Sequence, residues 1–247
     1  MEKIIAVLGA VPAEVEPLIA KLEDARPVEL LDTVLTRGRL LGRPVLLGAT
    51  GIGKVNAALM TSAIVTAFPV EAVWNVGCAG AYRESGLQLG DVLVSDSISM
   101  ADEGVLTIEK TLSMEAIGIP LLERDGSKIF NRLDLSKDFD SLYLQILLRD
   151  GPDSFRVVRG ASVTVSMASG DFQIADQRWR RYQAHTEDME SSAVAQVCAR
   201  ARVPVAVCRG VSNLTGDRDK RNWDFRRAID HSCAVFLRWL ETTGQSA

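Results

Sequence analysis

The stretch from residue 187 to residue 213 constrains the fold most, because an amphipathic helix there runs directly into a buried strand. Apolar residues recur at helical spacing from Ala193 to Ala201, and the run from Val205 to Val211 is short, continuous and rich in β-branched residues. Glu190 lies where the helix begins, so its carboxylate meets the positive end of the helix dipole. Asn213 lies just past the strand. Ligands bind outside the carboxyl ends of strands in open α/β sheets, so we predict a binding site around this unit.

Length and composition favour a single domain. The chain has 247 residues, 47% of them hydrophobic, which is enough for one large core, and we predict one domain over residues 1–247. The net charge of −4 is spread over interspersed acidic and basic residues, so no basic face favours nucleic acid. No run reaches the ~18 apolar residues that span a bilayer, and we expect no membrane partner. A small molecule is the expected partner.

The cysteines and the amino-terminal sequence predict a soluble, cytoplasmic protein. Four cysteines stand far apart in the sequence, at 78, 198, 208 and 233, and form no CxxC pair, as is typical of reduced thiols. The chain enters a strand-length apolar run at residues 4–8 without a basic leader or a small-residue cleavage site.

Predicted strands and helices alternate along the chain. Strands are predicted at 4–8, 73–77, 91–98, 157–165 and 205–211, with an antiparallel hairpin at 34–37 and 45–47. Helices are predicted at 12–22, 55–67, 141–148, 176–182, 193–201 and 223–240. The irregular segment at 100–137 is interpreted as a functional loop or flap. This alternation predicts an α/β fold of three layers, α/β/α, with a mixed, mostly parallel central sheet.

A glycine loop at 50–54 is close to a phosphate-binding loop but lacks its metal anchor. Val55 stands where the Ser or Thr that coordinates Mg²⁺ must be, so the loop favours a simple turn before a helix. The acidic run at 217–219 lacks the later glycine and glutamate of a calcium loop. The two histidines, His185 and His231, are far apart, and His185 is interpreted as structural. We predict no metal site and no cofactor.

The candidate site residues all stand near the ends of predicted strands, which an α/β fold brings into one crevice. Glu14 follows the first strand and Asn213 follows the last. The remaining candidates for substrate binding are Cys78, Ala79, Gly80, Phe172, Gln173, Ile174, Met189 and Glu190.

Six ordered motifs across nearly the whole chain resemble the nucleoside phosphorylase and nucleosidase superfamily. They are Gly9-Ala10-x-x-x-Glu14-Val15, Gly51-Ile52-Gly53-Lys54-Val55-Asn56-Ala57-Ala58, Asn75-Val76-Gly77-x-Ala79-Gly80, Gly90-Asp91-Val92, Asp188-Met189-Glu190-Ser191-x-Ala193-Val194-Ala195 and Arg209-x-Val211-Ser212-Asn213. Within it, the sequences at 101–105, 114–122 and 212–219 resemble futalosine hydrolases, enzymes of an alternative menaquinone pathway. Those enzymes split futalosine into hypoxanthine and dehypoxanthine futalosine. The resemblance implies the nucleoside phosphorylase type of fold and a purine nucleoside substrate.

The resemblance also implies roles for the candidate residues. Glu14 matches the glutamate that holds and activates the attacking water, a general-base role that suits a carboxylate. Glu190 matches the carboxylate that accepts hydrogen bonds from the ribose 2′ and 3′ hydroxyls, and Met189 packs against the sugar. Backbone groups at 172–174 edge the base, and the ring of Phe172 is in a position to stack on it.

Two positions bear on the nucleophile. Phosphorylases of the superfamily carry arginine where this chain has Asn75 and serine where it has Cys78. Glu14 is expected near the same place, and its negative charge repels a phosphate. Water is therefore the predicted nucleophile.

Asn213 bears on the leaving base. Adenine-specific nucleosidases of the superfamily have an aspartate there, which protonates N7 of the purine. An amide has no proton to give but offers an N–H donor that suits N7 and O6 of a 6-oxopurine, which favours hypoxanthine over adenine. The group that protonates the leaving purine stays open between solvent and Asp217.

Two alternatives stay open beside futalosine hydrolysis. One is an adenine nucleosidase that acts on methylthioadenosine or S-adenosylhomocysteine, and the other is a nucleoside-binding relative without activity. The benzoate of futalosine calls for a cation, which we expect from Arg124, Lys128 or Arg132. The resemblance further implies a homodimer or larger homo-oligomer, with the helix at 55–68 as a candidate interface.

Overall fold

The computed structural model describes residues 2–124, 126–148 and 155–244, so the two ends of the predicted domain at 1–247 lie outside the described residues. Within these ranges the strands are β1 (Ile4–Gly9), β2 (Glu23–Leu30), β3 (Thr33–Leu40), β4 (Arg43–Ala49), β5 (Val70–Asn75), β6 (Cys78–Ala81), β7 (Val92–Met100), β8 (Gly104–Leu106), β9 (Thr111–Ser113), β10 (Leu122–Arg124), β11 (Ser127–Ile129), β12 (Arg132–Asp134), β13 (Val157–Thr164), β14 (Thr186–Asp188) and β15 (Val205–Leu214). The α-helices are α1 (Glu16–Ile19), α2 (Lys54–Ala67), α3 (Ser136–Ser141), α4 (Phe172–Tyr182), α5 (Ser191–Ala201) and α6 (Phe225–Gly244).

Eleven of these strands form one mixed sheet in the order β12-β7-β13-β14-β6-β15-β5-β1-β4-β3-β2. Six of its pairings are parallel. Strand β15 pairs with β5 and β6 and also, antiparallel, with β7, so the sheet curls back and β6, β7, β13 and β14 close into a ring with β15. Strand β15 therefore joins the two halves of the sheet: its amino-terminal part pairs with β5 in the open half, and its carboxyl end pairs with β6 in the curled half.

Alternate side chains of β1 build the two faces of the core. Ile5 belongs to a cluster with α6, where the ring centroid of Trp74 lies 5.1 Å from that of Phe236 and 4.9 Å from that of Trp239. Ile4 belongs to the opposite cluster, which α2 and α5 cover. Helices on both faces of the sheet confirm the three-layer α/β/α fold with a mixed, mostly parallel sheet.

The predicted helix at 12–22 is wrong in its extent. A 3₁₀ turn covers Pro12–Glu14 and a single α turn, α1, covers Glu16–Ile19. Pro17 lacks the N–H that a continuous helix needs at this point, so the helix breaks into two short pieces. The chain then enters β2, an edge strand with mostly exposed side chains that the sequence analysis did not predict.

Two other segments differ from their predicted form. The predicted helix at 141–148 is a short α3 followed by a 3₁₀ helix at Leu144–Leu148, because Tyr143 has a left-handed φ of 54°. The irregular segment at 100–137 holds the two-stranded hairpins β8–β9 and β10–β11 and the edge strand β12.

The cysteines are all free thiols, and three of them are buried. In the part of the chain that the structure describes, every helix is too short or too polar to cross a bilayer.

Candidate active site

A cavity of about 450 Å³ lies where β1, β14 and β15 end and β6 begins. Seven of the residues that the sequence analysis singled out line this cavity together: Glu14, Cys78, Ala79, Gly80, Met189, Glu190 and Asn213. The strand order explains this meeting, because β14, β6 and β15 are neighbours in the sheet and β1 is two strands from β15. The carboxyl edge of the sheet is where an α/β fold exposes a ligand site.

Glu14 is buried, and backbone groups from two strand ends hold its carboxylate. Oε2 accepts hydrogen bonds from the N–H of Ala10 at 2.6 Å and of Val11 at 3.3 Å. Oε1 accepts the N–H of Cys78 at 2.9 Å and lies 3.4 Å from the Cys78 Sγ, which donates to it. A Cβ on Gly77 would clash with this carboxylate, so glycine is needed there. Glu14 is thus fixed in one rotamer with its oxygens at the cavity wall, as a general base requires.

Glu190 is the second buried carboxylate of the cavity. It stands immediately before α5, and its Oε1 accepts the N–H of Gly53 at 2.8 Å. The glycine loop before α2 therefore holds a protein carboxylate rather than a phosphate. Burial raises the pKa of Glu190 to about 7, an effect that nearby Asp188 adds to and Arg209 opposes. The group therefore changes its charge near neutral pH.

A buried ion pair lies beneath the cavity floor. Arg209 Nε lies 3.4 Å from Asp188 Oδ2, and both side chains are 1% exposed. Arg209 also donates to the Val76 carbonyl at 2.6 Å, to the Ser191 hydroxyl at 3.1 Å and to the Asn75 amide oxygen. Burial alone lowers the pKa of Arg209, but the surrounding carboxylates hold it above its ordinary value. With its donors taken by four protein groups, this guanidinium is not available to clamp a phosphate nucleophile.

Asn213 presents its amide to the cavity in a fixed orientation. Its Oδ1 accepts the Ser212 hydroxyl at 2.8 Å, and its Nδ2 donates to the Leu214 carbonyl at 2.8 Å. One N–H of the amide is left for a ligand. The buried hydroxyl of Thr215 has no hydrogen-bond partner within the described residues and lines the same part of the cavity.

The segment Ala168–Ser169 closes one side of the cavity, and sequence reasoning missed it. Glu187 fixes it, because Oε1 accepts the Ser169 N–H at 2.7 Å and Oε2 accepts the Ser169 hydroxyl at 2.8 Å. Tyr82 and Arg178 donate to the same Oε2 at 2.9 and 3.0 Å. The available signal was the position of Glu187, an acidic residue beside the recognised motif at 188–190.

Phe172, Gln173 and Ile174 are not among the residues that line the cavity. They form the first turn of α4, which Asp171 caps by accepting the Ile174 N–H at 2.9 Å. The ring of Phe172 lies under the guanidinium of Arg83, 4.5 Å from ring centroid to Cζ. The backbone just before this helix contacts Gly216 at the cavity edge.

The cations expected to serve the substrate carboxylate lie elsewhere. Arg124 donates to the Ala199 carbonyl, Lys128 pairs loosely with Glu123 at 3.8 Å, and Arg132 donates to the Ser97 hydroxyl at 2.9 Å. None of the three lines the cavity. The structure thus does not bring these three side chains to the cavity, and a cation from segment 100–137 stays a prediction.

The acid considered for the leaving group also lies outside the cavity. The Asp217 carboxylate accepts the Asp219 N–H at 2.8 Å and the Asn222 amide at 2.9 Å. It is not among the residues that line the cavity, which favours solvent as the proton source. Across the described residues, no cluster of three His, Cys, Asp or Glu side chains is arranged to hold a metal ion.

Comparison with known proteins places these residues in a family context. A model of the phosphorylase superfamily matches residues 4–241. Relatives from Bacillus thuringiensis and Bacillus cereus, both named 5′-methylthioadenosine/S-adenosylhomocysteine nucleosidase, are 31% identical over 240 residues, 96% of this chain and 98% of the relative.

Solved structures share the fold at lower identity. A methylthioadenosine/S-adenosylhomocysteine nucleosidase from Colwellia psychrerythraea, in complex with adenine, has a TM-score of 0.81 at 24% identity and covers 98% of this chain and 96% of its own. A futalosine hydrolase from Helicobacter pylori has a TM-score of 0.80 at 21% identity and covers 97% of this chain and 98% of its own. Because proteins of both names share the fold, the substrate must be argued from the cavity.

Proposed function

Because this chain belongs to the phosphorylase superfamily and is similar to nucleosidases along nearly its whole length, we propose that it hydrolyses the N-ribosidic bond of futalosine and releases hypoxanthine. The choice of futalosine as the substrate rests on the presence of Asn213 in the cavity. An amide stands in the cavity with Glu14 and Glu190, at the position where the resemblance gives adenine-specific nucleosidases an aspartate.

The buried carboxylates divide the work of hydrolysis. Cleavage passes through a sugar with oxocarbenium character, so the nucleophile must be held at the anomeric carbon. Glu14 accepts a proton from a water as the water oxygen bonds to that carbon. The bond from carbon to the purine nitrogen breaks, its electron pair goes to the base, and the base takes up a proton from solvent. Glu190 accepts hydrogen bonds from the ribose hydroxyls and keeps the sugar in place.

The state of Asn213 supports a 6-oxopurine. A free amide is able to pair with both N7 and the amino group of adenine, through one donor and one acceptor. Here Oδ1 already accepts the Ser212 hydroxyl and keeps one further lone pair, while the N–H of Nδ2 that does not bond to the Leu214 carbonyl is the donor left for the base. Hypoxanthine presents acceptors at N7 and O6 and matches that donor.

The surroundings of Glu14 support water over phosphate as the nucleophile. Cys78 and Asn75 stand where the resemblance gives phosphorylases a serine and an arginine. Arg209 is committed to four protein groups, and Glu14 is anionic at the place where a phosphate would enter. Both features disfavour a phosphate dianion.

One specific observation favours a second candidate, methylthioadenosine/S-adenosylhomocysteine nucleosidase. The relatives that are 31% identical along the whole chain carry that name. A binding protein without activity is disfavoured, because a binder needs no buried base such as Glu14.

The test is a chromatographic assay of the base released from futalosine, inosine and methylthioadenosine, each with and without phosphate. The proposal predicts hypoxanthine from futalosine at a rate that does not depend on phosphate. In Asn213→Asp, we expect futalosine turnover to fall and adenine release from methylthioadenosine to rise. Adenine as the main product of the unaltered enzyme would establish the second candidate instead.

A further inference from the structure

One cation at the cavity mouth has no role in the chemistry described so far. Arg218 lines the cavity together with Trp223 and Phe225. Its guanidinium carbon lies 5.0 Å from the ring centroid of Trp223, and the rings of Trp223 and Phe225 meet edge to face at 5.1 Å. Within the described residues, no carboxylate forms an ion pair with Arg218, although acidic residues flank it on both sides in the sequence.

The loop that carries Arg218 is held in one shape. The indole N–H of Trp223 donates to the Asp217 carbonyl at 3.1 Å, and the Asp217 carboxylate is occupied by two donors of the same loop. Asp219 pairs with Arg221 through Oδ1 at 2.9 Å and caps the turn at Lys220–Asn222. The loop thus neutralises one of its arginines and leaves the other facing the cavity mouth.

We propose that Arg218 and Trp223 form a subsite for an aromatic carboxylate carried on the 5′ side of the nucleoside. The guanidinium pairs with the carboxylate, and the indole with the adjoining Phe225 ring provides an apolar wall for the aryl group. A planar guanidinium held over an aromatic face suits this ligand, because it binds a carboxylate through two parallel N–H donors. This proposal rests on the proposed function, and it assigns selectivity for the 5′ substituent to Arg218 and Trp223.

The charge pattern of the cavity places the carboxylate at the mouth. Glu14 and Glu190 are both buried inside and repel a second anion there, whereas Arg218 is exposed at the rim. A substrate with a base at Asn213 and an anion at the other end therefore binds in one direction only. The neutral methylthio group of methylthioadenosine gains nothing from Arg218, so the subsite separates futalosine from methylthioadenosine. It does not by itself separate futalosine from S-adenosylhomocysteine, whose 5′ substituent carries a carboxylate but no aryl group.

The test is a double-mutant-type cycle in which kcat/KM is measured for each combination of enzyme variant and substrate analogue. The substrates are futalosine and its carboxamide, which has the same shape without the charge. The enzymes are the unaltered protein, Arg218→Gln and, as a matched control in the same loop, Arg221→Gln. We expect the unaltered protein and Arg221→Gln to prefer the acid over the amide in kcat/KM by about 10- to 100-fold, chiefly through KM, as for a charge-assisted hydrogen bond. Arg218→Gln should reduce that preference to less than about threefold.

The outcomes separate the subsite from the reaction. An unchanged acid-to-amide preference in Arg218→Gln, with an unchanged thermal melting curve, overturns the subsite alone. Equal loss of the preference in Arg221→Gln also overturns it, because the effect would then belong to the net charge of the loop. Failure of the unaltered protein to release hypoxanthine from futalosine overturns the proposed function and the subsite with it.

Discussion

At the scale of single residues, the two buried carboxylates of the cavity are held in different ways. Glu14 accepts three backbone N–H groups, from Ala10, Val11 and Cys78, which fix its position against the reacting centre. Glu190 accepts one, from Gly53, and burial raises its pKa to about 7. The first arrangement suits a base that must be positioned, and the second suits a group that senses pH near neutrality.

Replacing the base tests its role directly. In Glu14→Gln the side chain keeps its shape but cannot take a proton, so we expect kcat to fall by about 10²- to 10⁴-fold, the usual contribution of a general base. Substrate affinity, measured by calorimetry under conditions without turnover, should change little. Glu16→Gln, an exposed neighbour on α1, is the matched control. Full activity in Glu14→Gln would remove Glu14 from the mechanism.

The pKa of Glu190 predicts the pH profile. In the proposed reaction Glu190 must be a carboxylate to accept hydrogen bonds from both ribose hydroxyls, and this form predominates above pH 7. We therefore expect kcat/KM for the free enzyme to rise with pH through about 7 and then level off. A profile that is flat between pH 6 and pH 8 would contradict the assignment, because it would place the ionisation of Glu190 outside this range.

The raised pKa of Glu190 also predicts how the free energy of unfolding changes with pH, which gives an independent check. The folded protein binds a proton at Glu190 more tightly than the unfolded chain does, so this group's contribution to the free energy of unfolding declines as pH rises through 7. Glu190→Gln removes the buried charge. Its Tm gain over the unaltered protein should thus be larger at pH 8 than at pH 5, while activity is lost at both.

At the scale of elements, the segment before α4 depends on a side chain of β14. Glu187 joins Ser169, Tyr82 and Arg178 in one buried network, and the Glu187 side chain is 4% exposed. This network ties one wall of the cavity to the curled half of the sheet. Cavity shape and local stability are therefore coupled here.

Breaking that network should cost both stability and binding. Glu187→Gln leaves the partly buried guanidinium of Arg178 without its anion and weakens the buried hydrogen bonds of Ser169 and Tyr82, so we expect the free energy of unfolding to fall by about 1–3 kcal/mol in urea titrations. KM for the nucleoside should rise because Ser169 loses its anchor. Asp176 lies on α4 with Arg178 and pairs with Arg83 of another segment, and Asp176→Asn, which breaks this half-exposed pair, should cost less than about 1 kcal/mol. Equal losses of unfolding free energy in the two variants would show that the Glu187 network contributes no more than an exposed ion pair.

The sequence predicts an element well when the element's own residues determine it, and poorly when contacts with distant residues determine it. Strand β1 and most of β5 and β15 are apolar and buried on both faces, and the helix after Gly53 has no breaker before Phe68, so both kinds of element follow from the local sequence. Strand β2 was missed because its polar residues are set by pairing with β3 at the sheet edge. The start of α4 was placed four residues late because Asp171 was not recognised as its cap, and residues 172–174 were taken as the end of the preceding strand.

The site residues divide in the same way, into those that the sequence motifs identify and those that only the folded structure identifies. Glu14, Glu190 and Asn213 belong to motifs and were found without the structure, and the structure places them in one cavity. Arg218 lies within the segment 212–219 that resembles futalosine hydrolases. Its position at the cavity depends on how the loop at 215–224 folds over Trp223, which no sequence periodicity encodes. Arg124, Lys128 and Arg132 were expected at the ligand because the charged, irregular segment at 100–137 was interpreted as a flap, and the cavity lining does not include them.

At the scale of the whole molecule, helix α2 leaves an apolar face uncovered. Val55 is 81% exposed and Leu59 57%, and Ile52 in the loop before them is 59% exposed. The opposite face of α2 packs into the core through Met60 and Ile64. Exposed apolar side chains that cluster in this way are typical of an interface, which agrees with the homo-oligomer that the sequence resemblance implies.

A charge on this face tests the interface. We expect the unaltered protein to sediment as a dimer or larger species, and the double variant Val55→Glu with Leu59→Glu to sediment as a monomer, because a buried unpaired charge opposes association. Leu41→Glu is a control, since Leu41 is 54% exposed on the turn between β3 and β4. A monomeric unaltered protein, or a double variant that stays associated, would remove α2 from the interface.

We propose that Asn213 makes this cavity a site for a 6-oxopurine nucleoside. The most direct measurement is a competition in one tube, with equimolar futalosine and methylthioadenosine and chromatographic detection of both bases at early times. The initial ratio of hypoxanthine to adenine equals the ratio of the two kcat/KM values. We predict an excess of hypoxanthine of at least about 100-fold, since the amide matches one base and Arg218 matches one 5′ substituent. An excess of adenine would contradict the account of Asn213 and assign the protein to the methylthioadenosine/S-adenosylhomocysteine nucleosidases.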